Sequence, residues 1–333
     1  MPGYSILQRT HMTGFERFGV TPETLLLTSR GYEPIGSLNE QEVTFWNGEE
    51  FDTATVVKIA KDQKIVRVIT KNLLEIECSE NQQFVTQPGL MPVNLEIKEA
   101  TELEYGTKIP RIPMCPITEG GDRTFPHAYS HGFYTGMEKY HRERLKVSRA
   151  AIYGVRHPIL EHLELDKEKT SHTSLVFVDT IPNDFDIPLD PSYSTKTKLE
   201  WLAGFADGGF FKRKSKPVPI WLVYSDNPDF LYQLKLLLQT LGVDSTHTKN
   251  KDAVSKHYTL VIRGKALEVL RDQGLPTVKT KFEDVHIKKY GPNGVKTSQI
   301  ESVEDAYRMS DIYNFVHTER KTAVCNGLLI ATN

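Results

Sequence analysis

Two five-residue stretches, Gly132-Phe133-Tyr134-Thr135-Gly136 and Gly204-Phe205-Ala206-Asp207-Gly208, share the pattern G-F-x-x-G and start 72 residues apart. Glycines four apart lie on one face of a helix and remove the side chains that hold two backbones apart. The repeat predicts helices over 127–136 and 198–208, packed along a seam of Gly132, Gly136, Gly204 and Gly208. After the second copy, Phe230–Leu241 reads as an amphipathic helix stopped by Gly242. Tyr258–Arg263 alternates as a strand, and Ala266–Gly274 reads as another helix with a glycine stop. Strand and helix signals follow the first copy in similar order. Chance recurrence is the plain alternative for so short a pattern, and the repeated flanks count against it. A chain that carries its own symmetric partner is expected to be a monomer.

The text on either side is different. From Thr21 to Thr86 it is β-rich, with strands expected at Thr24–Thr28, Val43–Trp46, Thr53–Ile59, Ile65–Thr70 and Leu73–Cys78. Asn47-Gly48 is a hairpin signal, because both residues tolerate positive φ. Pro113, Pro116, Gly120 and Gly121 mark a linker, and the Pro- and Asp-rich stretch 179–191 a connector. Strand-like text returns at Asp311–Val316 and Ala323–Ile330. The order is β, then α/β, then β again, which is one domain interrupted by another. The expected divisions are an N-terminal extension over 1–18, a β domain over 19–120 plus 300–333, and an inserted domain over 121–299.

At 333 residues, 39% of them hydrophobic, the chain is long enough for two or three cores. No apolar run approaches a membrane span, and Met1–Thr10 lacks the make-up of a secretion signal. His11-Met12 resembles a cloning scar. Three cysteines without a CxxC pair point to buried reduced thiols in a reducing cytoplasm, bacterial or viral. His127, His131 and His141 lack the Cys or paired acid of a metal site. Trp201 reads as core, and Pro217-Val218-Pro219 as a stiff turn. The net charge of −2 conceals 26 basic against 20 acidic residues between 125 and 300, and 15 against 23 elsewhere. A basic insertion in an acidic frame suits contact with nucleic acid, and solvated lysines give the same count.

The stretch Leu199-Glu200-Trp201-Leu202-Ala203-Gly204-Phe205-Ala206-Asp207-Gly208-Gly209-Phe210 resembles the LAGLIDADG helix of homing endonucleases, over roughly 125–285. The resemblance implies two pseudo-symmetric αββαββα halves whose helices pack centrally and whose sheets form a saddle over duplex DNA. The flanks resemble the splicing blocks of an intein, the all-β Hint (hedgehog/intein) domain. Thr21-Pro22-Glu23-Thr24-Leu25-Leu26-Leu27-Thr28 looks like the first block, and Leu74 to Phe84 like the second. Ile312-Tyr313-Asn314-Phe315 and Asn326 to Asn333 look like the last two. The implied architecture is an all-β Hint domain interrupted by an α+β LAGLIDADG domain.

The resemblance also implies which residues should do chemistry, and most are replaced. The splicing nucleophile, a Cys or Ser, falls on Gly19. The second block's Thr and His fall on Ser79 and Gln82, and Gln cannot exchange a proton near neutral pH. The third block's Asp falls on Asn314 and the penultimate His on Thr332, leaving Asn333 unassisted. The acid that ends each endonuclease helix and holds a divalent ion falls on Met137 and Gly209. Glu138 and Asp207 lie close by but are turned about 100° and 200° around a helix. No cofactor is expected, with Mg²⁺ required only if DNA cleavage is retained.

Orderly turns and apolar patterning beside this loss suggest a scaffold kept for binding, since unselected mutations mostly destabilise. The expected function is non-catalytic contact with protein or double-stranded DNA. Lys139, Arg142, Arg144 and Lys146 after the first helix, and Lys212, Arg213, Lys214 and Lys216 after the second, are candidate phosphate contacts; a solvated face is the alternative for both. For protein contact, the arm Met1–Phe18 carries Tyr4, Ile6, Leu7, Phe15 and Phe18. The opposing expectation is an active homing endonuclease or a self-splicing intein.

Overall fold

The structure is a computed structural model, and it describes residues 18–88, 95–111, 114, 116–117, 119–124, 127–133, 135–136, 150–153, 175–178, 187–210, 220–225, 227–249, 258–278, 297–316, 318 and 321–332. Residue contacts divide the chain into two units, 1–119 with 289–333, and 120–288. Among the described residues no helix is long and apolar enough to cross a membrane.

The first unit is all β apart from short 3-10 turns. One sheet runs β2-β1-β15-β16-β6-β7, built from β1 (Leu25–Leu27), β2 (Tyr32–Pro34), β6 (Gln83–Thr86), β7 (Glu96–Glu99), β15 (Thr322–Cys325) and β16 (Leu328–Ala331). Residues from both ends of the sequence thus share one sheet, with Leu26 opposite Cys325 and Ile330 opposite Phe84. A second sheet runs β3-β4-β14-β8, with β3 (Glu42–Trp46), β4 (Phe51–Thr70), β8 (Lys108–Pro110) and β14 (Thr297–Val316); β5 (Glu75–Ser79) also pairs with β4. Leu26, Phe45, Val56, Ile76, Phe84 and Phe315 are fully buried in this unit.

The structure corrects two local expectations and supplies the geometry of a third. The two strands expected at 53–59 and 65–70 are one, β4, because β14 pairs along it from Thr55 to Thr70 through several register shifts. Lys61-Asp62-Gln63-Lys64, polar enough to read as a loop, is carried through as strand, exposed except for the half-buried Gln63. The hairpin at Asn47-Gly48 has a four-residue connection, with Trp46 opposite Phe51. Its geometry is set by Asn47 Oδ1, which accepts from Glu49 N–H and Glu50 N–H at 2.9 and 3.0 Å. The expected strand over 323–330 is a hairpin, β15 and β16, turning at Asn326 and Gly327 with φ of 48° and 76°.

The second unit contains α1, helical at 128–133 and 135–136, α2 (Thr195–Phe205), α3 (Pro228–Thr240) and α4 (Lys265–Asp272). Strands β9 (Ala150–Tyr153) and β10 (Leu175–Val178) pair with each other, and β11 (Ile220–Ser225), β13 (Tyr258–Arg263) and β12 (Thr246–Lys249) form a sheet in that order. Helix α2 starts earlier than its apolar pattern suggests, because Ser194 caps it by accepting from Thr197 N–H. Asn227 caps α3 in the same way, with Pro228 as its first residue. The core here is Trp201, Leu202, Phe205, Val223, Leu234, Leu238, Leu260 and Leu267. From α2 onward the described order is α2-β11-α3-β12-β13-α4.

Candidate functional site

In the first unit the residues aligned with splicing positions come together. The segment Phe18–Val20 is buried between β5 and β14, with Val20 bridging both Tyr313 and Cys78. Val20 and Tyr313 exchange N–H to O bonds at 3.0 and 2.9 Å. Gly19 N–H donates to Ser79 Oγ at 3.0 Å, and Ser79 N–H donates back to Gly19 O at 2.9 Å. Asn314 Nδ2 donates to Phe18 O at 2.8 Å, while Asn314 Oδ1 accepts from Phe315 N–H at 2.8 Å. The peptide joining Phe18 to Gly19 is therefore held on both its carbonyl and its N–H.

No side chain fits at residue 19 as the backbone stands. A Cβ there would collide with the carbonyl oxygen of Tyr313 and lie 3.0 Å from its carbonyl carbon. The Cys78 thiol is not presented to the junction. Neighbours on a strand face opposite sides, so with Ser79 turned to the junction, Cys78 is turned into the core. Burial, helped by the Glu77 charge, raises its pKa far above the usual thiol range.

Farther along, Gln82 is fully buried, and its Nε2 donates to Ala331 O at 3.0 Å and Gln83 O at 2.8 Å. Thr332 is buried, its hydroxyl 3.1 Å from that of Thr318. Both residues form hydrogen bonds and neither supplies a titratable group. Asn333 lies outside the described residues.

In the second unit α1 and α2 meet backbone to backbone. A Cβ on Gly132 would strike Trp201 O, and one on Gly204 would strike Tyr129 O. Gly136 and Gly208 stand in the same relation to Phe205 O and Phe133 O, so all four glycines lie in the contact. Past Phe205 the helix widens into a π turn, Ala206–Phe210, a form that recurs at functional sites. Gly209, the position at which the resemblance leads one to expect an acid, sits in this turn. Asp207 is 1% exposed, and its Oδ2 accepts from Tyr129 O–H at 2.8 Å and from Val278 N–H at 2.6 Å. Burial and the Asp207 contact together push the Tyr129 hydroxyl to a strongly raised pKa. Asp207 therefore ties the end of α2 to α1 and to the chain after α4. Nothing in the sequence pointed to Tyr129 or Val278, since neither contact follows a spacing rule.

Met137, Glu138 and the basic residues Lys139, Arg142, Arg144, Lys146, Lys212, Arg213, Lys214 and Lys216 lie outside the described residues, as does His141. Among the described residues no group of three His, Cys, Asp or Glu could hold a metal ion. Two buried basic side chains are perturbed. Burial lowers Lys198 to about 8, opposed by the Asp190 charge, and lowers His247 to about 4, reinforced by Lys235.

Residues 196–273, which lie within the second unit, match the family described as a LAGLIDADG-like domain. Over 93% of its length the chain is 26% identical to the ribonucleoside-diphosphate reductase large subunit of Invertebrate iridescent virus 6, and it spans 35% of that protein. Two inteins are among the solved structures it resembles. A mutant of the Ssp DnaB mini-intein is 8% identical with a TM-score of 0.34, covering 95% of this chain and 99% of that one. The gp41-1 intein is 20% identical with a TM-score of 0.22, covering 27% and 66%.

Proposed function

We propose that this chain, which carries a LAGLIDADG-like domain and resembles inteins, is a catalytically degenerate member of that lineage acting as a non-catalytic binding protein. The observation that carries the reading is at residue 19, where the position of a nucleophile is held by glycine and the space for any side chain by the Tyr313 carbonyl. Attack on the Phe18 carbonyl needs a side chain there, and Ser79, Gln82 and Thr332 offer hydrogen bonds without an acid or base near neutral pH. The replacement of the endonuclease acid by Gly209 supports the same reading for the second unit.

The partner is double-stranded DNA or a protein. The LAGLIDADG-like match favours DNA, with the basic clusters at 139–146 and 212–216 as phosphate contacts. We place the protein in a viral setting and in the host cytoplasm, because its relative is viral, and take it to be a monomer. Mobility-shift titration of duplex DNA at several salt concentrations, with and without Mg²⁺ or Mn²⁺, tests the reading. Binding that weakens steeply with salt and leaves the DNA uncut is expected. Specific nicking in the presence of metal overturns the non-catalytic part, and a missing or salt-independent shift removes DNA as the partner.

A further inference from the structure

We propose that the remodelled junction in the first unit is a latch that fixes the root of the N-terminal arm, with Asn314 and Ser79 as its positioning residues. The inference rests on the non-catalytic reading and deepens it, because it assigns the altered residues a present task.

Each altered side chain is matched to the main chain of Phe18 and Gly19. At position 314 the fit is chemical. Phe315 N–H occupies Oδ1, which leaves Nδ2 facing Phe18 O. An ionised Asp in its place would set a second acceptor against that carbonyl, and buried acceptors facing each other without a proton are costly. At position 19 the fit is steric, since the absence of Cβ lets the Tyr313 carbonyl close in and pair with Val20. Ser79 completes the set, its Oγ accepting Gly19 N–H and lying 3.3 Å from Gly19 O. Phe18 itself is 0% exposed, a plug behind these bonds. The segment is thus bridged at Val20 to β14 on one side and β5 on the other, the physics of strand addition applied within one chain at a single residue. It fixes Phe18, the first described residue, against β5 and β14.

The test is hydrogen exchange at the Gly19 and Val20 amides of the full chain, read as a ratio to wild type at the same pH, with the Ile330 amide as the core reference. In Asn314→Asp both junction amides should exchange roughly tenfold faster at pH 7.5, while Ile330 is unchanged. The excess should vanish as acid protonates the new carboxyl and restores a donor. Asn314→Leu, which has no donor at any pH, should stay fast throughout. Ser79→Ala should speed Gly19 by a similar factor. A ratio near one at every pH, or junction rates that merely track Ile330 in all three variants, overturns the latch. Intact mass recorded alongside separates the two readings, because scission between Phe18 and Gly19 in any variant contradicts the non-catalytic function whatever the exchange rates do.

Discussion

At Gly19 a single hydrogen stands where any Cβ would meet the Tyr313 carbonyl. Gly19→Ala is expected to cost about 1–3 kcal/mol, because the new methyl must displace the Tyr313 carbonyl or the Val20 pairing. Urea unfolding monitored by circular dichroism measures this, and an unchanged midpoint would show that the junction relaxes freely. His247 gives a second prediction, in pH. Its folded pKa of about 4 lies below the roughly 6.5 of an unfolded histidine, so the unfolded chain binds more protons between those values. Its contribution is present above pH 6.5 and is lost as the pH falls toward 4, about 2 kcal/mol by pH 5. Carboxylates with lowered pKa, such as Glu77 beside Arg67 and Arg308, lose theirs at lower pH. His247→Leu should therefore flatten the slope of stability between pH 7.5 and 5, and an unaltered slope would refute the assignment. The identity of Gly19 was legible in the sequence, but the carbonyl that fills its space was not. Main-chain contacts between residues at opposite ends of a chain leave no mark in residue type.

The two seam helices are the elements most plainly written in the sequence, because the spacing of Gly132 and Gly136 and of Gly204 and Gly208 encodes one close contact twice. Gly204→Ala is expected to destabilise the second unit by about 2 kcal/mol or more, since Tyr129 O and Phe133 N occupy the space of the added carbon. Differential scanning calorimetry should show the loss. An equal melting temperature would mean the helices part without penalty. Other elements were harder to read. The charged stretch Lys61–Lys64 hid the continuity of β4, because pairing with β14 overrides local polarity. The turn at Asn326-Gly327 carried an ordinary hairpin signal inside an apolar run that read as one strand. The π turn at Ala206–Phe210 has no comparable signature, and it is this turn that sets where Asp207 ends up.

For the molecule as a whole, the β-α/β-β order of the text corresponds to two contact units, one of them assembled from both ends of the chain. The sequence carries that organisation because β-branched runs and helix-period runs are segregated along it. The candidate junction was legible as a set of aligned positions, yet its present state depended on geometry. Ser79 and Asn314 look like weakened catalysts on paper and prove to be well-placed partners of Phe18 and Gly19. On the proposed reading this junction performs no chemistry. Intact-mass spectrometry of the 333-residue chain after prolonged incubation with hydroxylamine and thiol measures this, since those reagents trap any ester or thioester formed at the Phe18 carbonyl. The mass is expected to stay that of the starting protein. A product lacking its first 18 residues, growing with time, would contradict it.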